Sequence, residues 1–289
     1  MSNTKTVSNY LSLVKFSHTI FAMPFAVIGF FLATEREEIA FDWRKFTLVI
    51  ACMIFARSAA MAFNRYIDRK FDEANKRTAV REIPSGIITP QNALAFVIIN
   101  CILFCTATFF INQICLFLSP VALLVILGYS YTKRFTALCH LVLGVGLSLA
   151  PIGAYLAVTG KFDPLPIMYS FTVLFWVSGF DIIYALQDDE FDKSQKLHSI
   201  PVTMGRRGAL LLSTIFHFIA ALLVLYAGMY AGFGQWYWLG CMIFIGLLIY
   251  QHVLVKPNDL SKVNLAFMTT NGIASVIFSI FVLLQLFLK

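Results

Sequence analysis

Hydrophobic residues occupy most of the chain in long runs, and short polar segments separate these runs. About 20 consecutive apolar residues are needed for an α-helix to cross the hydrocarbon core of a bilayer. By this criterion the pattern predicts nine transmembrane helices, at residues 16–34, 44–63, 91–111, 115–131, 137–158, 166–187, 208–230, 236–255 and 264–288. We therefore expect an all-α, polytopic membrane protein in which residues 1–289 form a single transmembrane domain.

One apolar stretch is too long for a single helix. No charged side chain occurs between Ile83 and Thr132, and the polar pair Asn112-Gln113 is the natural break within it. This pattern predicts a tight hairpin between the third and fourth spans.

Composition and charge support the membrane class. Hydrophobic residues make up 59% of the chain and charged residues only 13%, whereas soluble domains carry about 25% charged residues. Most of the 22 lysines and arginines fall in the N-terminal segment and in the loops on the same side. The positive-inside rule then places the N-terminus and these loops in the cytoplasm, with the protein in the inner (cytoplasmic) membrane. The net charge of +7 is thus a topology signal, and no nucleic-acid partner is expected.

The first acidic motif follows the second predicted span, in FNRYIDRKFDEANKRTAVREIPSG. Its residues Asn64, Asp68 and Asp72 recur every four positions and share one face of a helix. Carboxylate and amide oxygens without Cys or His suit Mg²⁺. The alternative is an ordinary charged helix end whose acidic residues pair with neighbouring basic ones.

The second acidic motif ends the sixth predicted span, in GFDIIYALQDDEFD. On a helix, Asp181, Asp188 and Asp192 form one stripe that extends over about 16 Å, too far for all three to bind one ion. Asp188 and Asp192 are the expected metal pair, and Asp181 lies about two turns deeper. A carboxylate at that depth indicates a functional residue, with structural pairing as the alternative.

Two oxygen-ligand motifs on one face of the membrane indicate a site for magnesium and diphosphate, because Mg²⁺ can bridge the diphosphate to carboxylates that would otherwise repel it. Arginine suits such phosphate contacts. For any single basic residue, positive-inside topology is the alternative explanation. Basic residues follow both motifs and the fourth span: Arg77, Arg81, Lys133, Arg134, Lys193 and Lys196.

With these motifs, the chain resembles the UbiA superfamily of intramembrane prenyltransferases. The family patterns Asn-x-x-x-Asp-x-x-x-Asp and Asp-x-x-Tyr-Ala-x-x-Asp-x-x-x-Asp correspond here to NRYIDRKFD and DIIYALQDDEFD. Three further segments match in order: KFSHTIFAMPFA, RTAVREIPSG and YSYTKRFT. The resemblance covers essentially the whole chain.

The resemblance implies a helical bundle around a central cavity, where a polyprenyl diphosphate binds with Mg²⁺ and alkylates an aromatic ring. It implies that Asp181, Tyr184 and Asp188 take part in catalysis, with Asp181 and Tyr184 lining the cavity near the acceptor. Arg77, Lys133, Arg134 and His198 would bind substrate, and Arg57 is a weaker candidate. The implied metal and diphosphate residues are Asn64, Asp68, Asp72, Asp188 and Asp192.

Two positions depart from the commonest family pattern: Arg65 replaces an Asp, and His198-Ser199 replaces a Lys-Ser pair. The combination is similar to a 4-hydroxybenzoate polyprenyltransferase-like subgroup, which also includes enzymes that act on a dihydroxynaphthoate. The expected partners are therefore a polyprenyl diphosphate, an aromatic acid acceptor of respiratory quinone biosynthesis, and the lipid bilayer. Another acceptor, such as heme or homogentisate, and a membrane transporter are the alternatives.

Overall fold

The computed structural model describes residues 3–15 and 21–288, with side chains from residue 7 onward. Residues 16–20, which begin the first predicted span and belong to the KFSHTIFAMPFA segment, lie outside the described residues. The regular secondary structure of the described residues is helical throughout, which confirms the all-α class.

The α-helices, in chain order, are α1 (Asn3–Leu13), α2 (Met23–Arg36), α3 (Trp43–Ile67), α4 (Arg69–Ala74), α5 (Pro90–Ile111), α6 (Gln113–Thr132), α7 (Cys139–Thr159), α8 (Pro164–Ala185), α9 (Asp189–Ser194), α10 (Ile200–Ala231), α11 (Gln235–Leu254) and α12 (Asn271–Phe287). A 3₁₀ turn, Leu186–Asp188, connects α8 to α9, and a π-helical turn, Leu265–Thr270, precedes α12.

Eight segments of the described residues are long and apolar enough to cross a membrane, which confirms a polytopic membrane protein. They match the second to ninth predicted spans closely. The first predicted span, 16–34, corresponds to α2, which has only 14 residues and begins at Met23-Pro24. The predicted ninth crossing is therefore not confirmed, and it stays a prediction.

The predicted hairpin at Asn112-Gln113 is confirmed. Asn112 alone separates α5 from α6. Its side-chain oxygen accepts a hydrogen bond from the Cys115 amide at 2.9 Å, and its side-chain nitrogen donates to the Leu156 carbonyl at 2.8 Å. Asn112 thus caps the N-terminus of α6 and links the hairpin to α7 through hydrogen bonds.

Helix α8 carries Asp181, the first residue of the second acidic motif, and it packs against both α7 and α10. A glycine permits the close approach of α7, because a Cβ atom at Gly144 would lie 2.5 Å from the Leu174 carbonyl oxygen. The core beside α8 is aromatic. Trp176 is fully buried between Phe25 and Phe244, with ring-centroid distances of 5.4 and 5.8 Å.

Both acidic motifs lie where long helices end, and neither is one continuous helix. Helix α3 ends at Ile67, yet the Asp68 amide still donates to the Asn64 carbonyl at 2.9 Å, and the Asp72 amide to Asp68 at 2.8 Å. The four-residue spacing is thus preserved through a bend. In the second motif the 3₁₀ turn interrupts the predicted helical stripe between Asp181 and Asp192.

Candidate active site

A cavity of about 200 Å³ opens between the ends of α3, α6 and α8, and residues from both acidic motifs line it. Of the site residues predicted from the sequence, His198 and the weaker candidate Arg57 do not line this cavity. The predicted residues in its lining are Asn64, Asp68, Asp72, Arg77, Lys133, Arg134, Asp181, Tyr184, Asp188 and Asp192.

Four carboxylates of this cavity each pair with a basic side chain from another segment. Two of the pairs involve the end of α6: Arg134 contacts Asp68 at 2.9 Å, and Lys133 contacts Asp192 at 2.7 Å. The other two involve the loop after α4, where Arg81 contacts Asp72 at 2.7 Å and Arg77 contacts Asp188. Four of the basic residues predicted from the sequence therefore lie inside the site, next to the acids, and are available to an anionic ligand: Arg77, Arg81, Lys133 and Arg134.

Arg77 joins the two motifs. Its Nε donates to Asp188 Oδ1 at 3.0 Å and its Nη2 donates to Asp188 Oδ2, so the contact is bidentate. Its Nη1 donates to the Tyr184 hydroxyl at 3.1 Å. Asn75 also donates to Asp188 Oδ1, at 3.1 Å. The loop after the first motif thus closes over the second one.

Asp181 lies deeper in the cavity wall and pairs with a histidine. His140 Nδ1 lies 2.7 Å from Asp181 Oδ2, and its Nε2 lies 3.4 Å from the Ile200 amide nitrogen. A tautomer that donates from Nδ1 and accepts at Nε2 satisfies both contacts. This arrangement fixes the Asp181 carboxylate relative to α7.

Burial and ion pairing set the charge of the groups at the mouth of the cavity. Burial raises the pKa of the Asp68 carboxyl to about 6, and the neighbouring Arg134 opposes this shift. Burial lowers the pKa of Lys133, but the adjacent Asp192 carboxylate raises it more, so the net pKa is above its usual value. Lys133 therefore keeps its positive charge at neutral pH.

The residues present are chemically suited to a hard cation, although the described residues contain no preformed cluster of three or more His, Cys, Asp or Glu ligands. Asp72 is 6% exposed, and its Oδ2 is buried without a hydrogen-bond partner among the described residues. An unsatisfied carboxylate oxygen beside other oxygen donors fits Mg²⁺.

An apolar cavity of about 380 Å³ adjoins the polar one, and residues of α3, α5, α6 and α7 line most of it. Tyr129 and Leu143 belong to the walls of both cavities. Arg57 lines the apolar cavity, and the Arg57 Nε is buried without a hydrogen-bond partner among the described residues. A charged head group and an apolar chain can thus be held end to end.

Two residues singled out in the sequence lie elsewhere. The His198 side chain is exposed, while the His198 amide donates to the Lys133 carbonyl at 2.7 Å. Its proposed contact with substrate stays a prediction. Arg65 is 3% exposed and does not line the polar cavity.

Sequence reasoning missed Asn75, His140 and Tyr129 as members of the site. Asn75 is three residues after Asp72, a spacing that could have indicated it, because residues three apart are neighbours on a helix surface. Tyr129 begins the matching segment YSYTKRFT, which could also have indicated it. His140 lies in an apolar span with no motif around it, so only the packing of α7 and α8 brings it to the cavity.

Comparison with known proteins gives a consistent family assignment. A family model described as the UbiA prenyltransferase family matches residues 22–273. Among curated relatives, a 4-hydroxybenzoate octaprenyltransferase of Nitrosomonas europaea is 32% identical over 229 residues, which cover 78% of this chain and 77% of the relative. The corresponding protein of Aliivibrio fischeri strain ES114 is 29% identical over 82% of this chain and 83% of the relative.

Solved structures share the fold. The apo structure of a UbiA homolog from Aeropyrum pernix K1 superposes with a TM-score of 0.83 at 29% identity, covering 92% of this chain and 97% of that one. A UbiA homolog from Archaeoglobus fulgidus, solved with GPP and Mg²⁺, gives a TM-score of 0.73 at 21% identity over 96% and 99% of the two chains.

Proposed function

Because the chain belongs to the UbiA prenyltransferase family, we propose that it transfers a polyprenyl group from a polyprenyl diphosphate to an aromatic acid in a Mg²⁺-dependent reaction. The proposed acceptor is 4-hydroxybenzoate or a dihydroxynaphthoate, and the pathway is respiratory quinone biosynthesis. One observation carries the proposal: a cavity lined by paired acids and bases continues into an apolar cavity.

The polar cavity is the proposed diphosphate site. Asn64, Asp68, Asp72, Asp188 and Asp192 would hold Mg²⁺, which supplies positive charge to the diphosphate as it leaves. The basic side chains that now pair with these acids can turn to the diphosphate oxygens. Bidentate arginine contacts suit that role.

Charge development in the reaction explains why so many cations line the site. The bond between the allylic carbon and the diphosphate oxygen breaks, and its electron pair stays on the diphosphate. The aromatic ring supplies the electrons of the new carbon–carbon bond and then loses a proton. Arg77 and Lys133 stabilise the negative charge that grows on the leaving group.

The acceptor would lie beside Asp181 and Tyr184, deeper than the diphosphate and at the entrance to the apolar cavity. His140 holds the Asp181 carboxylate in place at 2.7 Å. Asp181 is therefore positioned to orient a ring hydroxyl or to accept the ring proton. Arg134 is the proposed contact for the acceptor carboxylate.

Two features of relatives and one of this chain support the choice of substrates. Curated relatives are named 4-hydroxybenzoate octaprenyltransferases. Structures of the Archaeoglobus fulgidus homolog contain Mg²⁺ with DMAPP or GPP. The apolar cavity of this chain offers room for the hydrocarbon tail of such a donor.

We also propose how the chain crosses the membrane. Residues 1–289 would form one domain with nine crossings around a central cavity in the cytoplasmic membrane. The N-terminus and the loops that carry both acidic motifs would face the cytoplasm, as the distribution of Lys and Arg indicates.

The test is a product assay on membranes that carry the full chain. Each membrane sample receives a prenyl diphosphate and Mg²⁺ with 4-hydroxybenzoate, 1,4-dihydroxy-6-naphthoate or 1,4-dihydroxy-2-naphthoate, and mass spectrometry identifies the product. We expect prenylation of one aromatic acid, and no product from Asp68→Ala membranes that contain equal protein. Prenylation of none of these acids would overturn the proposed acceptor class.

A further inference from the structure

A π-helical turn touches the proposed site through an aromatic stack. The turn spans Leu265–Thr270, directly before α12. Within it, the ring of Phe267 stacks on the ring of Tyr184, with centroids 4.2 Å apart and planes inclined by 30°. π-helical turns are rare and occur frequently at functional sites, and this one lies beside the proposed site.

A buried amide network supports the turn. Asn271 is fully buried, and its Nδ2 donates to the carbonyls of Ala266 and Phe267, at 3.0 Å each. Its Oδ1 accepts from Trp176 Nε1 at 2.8 Å and from Gln251 Nε2 at 2.9 Å. The network therefore satisfies two carbonyls of the widened turn and anchors it to α8 and α11.

The position of Phe267 follows from this support. A π turn adds one residue to a helical turn and so changes the directions of the side chains within it, including Phe267. Phe267 is 8% exposed, and Phe180 also contacts it, at 5.4 Å between centroids. The Phe267 ring thus packs against Phe180 and stacks on Tyr184.

Tyr184 in turn contacts the residue that joins the two acidic motifs. Its hydroxyl accepts a hydrogen bond from Arg77 Nη1 at 3.1 Å, and the Arg77 guanidinium lies 5.5 Å from the centre of its ring. The same guanidinium donates to both carboxylate oxygens of Asp188. Tyr184 is therefore held between Phe267 on one face and Arg77 at its hydroxyl end.

We propose that Phe267, supported by Asn271, is a positioning residue that fixes the Tyr184 phenol and through it the orientation of Arg77 toward Asp188. Phe267 itself does not line the polar cavity, so its influence on substrate is indirect. The kinetic test of this inference rests on the proposed function. The placement of the Tyr184 ring by Phe267 does not depend on that function and can be tested separately.

The kinetic test is a double-mutant cycle in the full chain. Phe267→Leu removes the stacked ring, and we expect kcat/KM for the prenyl diphosphate to fall about five- to tenfold, the scale of one aromatic contact. In a Tyr184→Phe background there is no hydroxyl for Arg77 to contact. We therefore expect Phe267→Leu to reduce kcat/KM less than about twofold further there.

The matched control is Phe278→Leu, which removes an equally bulky ring from α12. Phe278 is fully buried and packs on Phe244 at 5.2 Å and Tyr237 at 5.8 Å. We expect this variant to lose thermal stability but to keep kcat/KM within about twofold of the unmodified protein. An equal loss of kcat/KM in both Leu variants would reduce Phe267 to a packing residue and overturn the inference.

A spectroscopic test does not depend on the reaction. With 3-fluorotyrosine placed at position 184, we expect the ¹⁹F resonance to shift or broaden in Phe267→Leu and to stay unchanged in Phe278→Leu. An unchanged resonance in Phe267→Leu would overturn the inference. If the unmodified protein transfers no prenyl group, the proposed function fails, while this resonance still decides whether Phe267 holds Tyr184.

Discussion

The Arg77 guanidinium and the Asp188 carboxylate form a bidentate ion pair across 111 positions of sequence, with Nε 3.0 Å from Oδ1. This pair connects the loop after the first acidic motif to the end of α8. It joins two segments that are far apart in the sequence.

Arg77→Lys should impair the enzyme although the charge is kept. A lysine cannot make the fork-shaped contact with Asp188 and also reach Tyr184, because its ammonium group is a single point charge. We expect kcat/KM for the prenyl diphosphate to fall about tenfold to a hundredfold. The neighbouring exposed Lys76, changed to alanine, is the control and should keep full activity. Unchanged kinetics in Arg77→Lys would show that charge alone suffices.

Asp72→Asn should weaken metal binding. Asp72 carries the buried oxygen that lacks a partner, and an amide is a poorer ligand for Mg²⁺ than a carboxylate. We expect the Mg²⁺ concentration for half-maximal activity to rise about tenfold, equivalent to ~1.4 kcal/mol. The adjacent Glu73 is exposed, so Glu73→Gln should leave this concentration unchanged. A normal magnesium requirement in Asp72→Asn would remove Asp72 from the metal set.

Arg134→Ala should separate the two substrates. If Arg134 holds the acceptor carboxylate, the KM for the aromatic acid rises about tenfold while the KM for the prenyl diphosphate changes little. Lys193→Ala serves as the control, since Lys193 is exposed near the second motif. A rise in the KM for the prenyl diphosphate instead would assign Arg134 to the diphosphate.

Gly153→Leu should shorten the donor that the enzyme accepts. Gly153 lines the apolar cavity, and a Cβ atom there meets nothing within 4 Å. It lies about 15 Å along α7 from Leu143, where the two cavities meet. We expect at least a tenfold loss of turnover with octaprenyl diphosphate and less than about a twofold loss with geranyl diphosphate.

Gly128 provides the control for that experiment. It also has open space at its Cβ position, but it is exposed on α6 and does not line the apolar cavity. Gly128→Leu should therefore keep the donor preference of the unmodified protein. The same preference in Gly153→Leu would show that the tail runs elsewhere.

Arg65→Met should destabilise the protein more than it affects catalysis. Arg65 is buried and interacts electrostatically with Glu82, whose Oε1 accepts a hydrogen bond from Ser12 of α1. Without Arg65, the buried Glu82 carboxylate loses a favourable charge, at a cost of about 1–3 kcal/mol. We expect a lower melting temperature, with partial recovery in Arg65→Met/Glu82→Gln. Lys70→Met, at an exposed position, should not change the melting temperature.

The helices and the hairpin were predictable because each depends on local sequence. Hydropathy over about 20 residues locates a span whatever it packs against, and Asn112 breaks the apolar run at one position. The first span stays a prediction, because α2 has 14 residues and residues 16–20 of that span lie outside the described residues.

The members of the acidic motifs were also predictable, since their spacing is encoded within a few turns of helix. Their pairing partners were not. Arg134 and Asp68 are 66 positions apart, and His140 and Asp181 are 41 apart. Such contacts depend on how α3, α6, α7 and α8 cross, and no periodicity in one segment contains that information.

The sequence by itself thus determined the class of protein, eight candidate membrane segments and the acidic residues that line the candidate site, because hydropathy and helical spacing are local properties. Only the tertiary structure decided that each acid has a basic partner, that Arg65 is buried and does not line the polar cavity, and that Phe267 stacks on Tyr184. The physical reason is that these contacts join segments far apart in the chain, and they form only when packing of the apolar helices fixes the segments' relative positions.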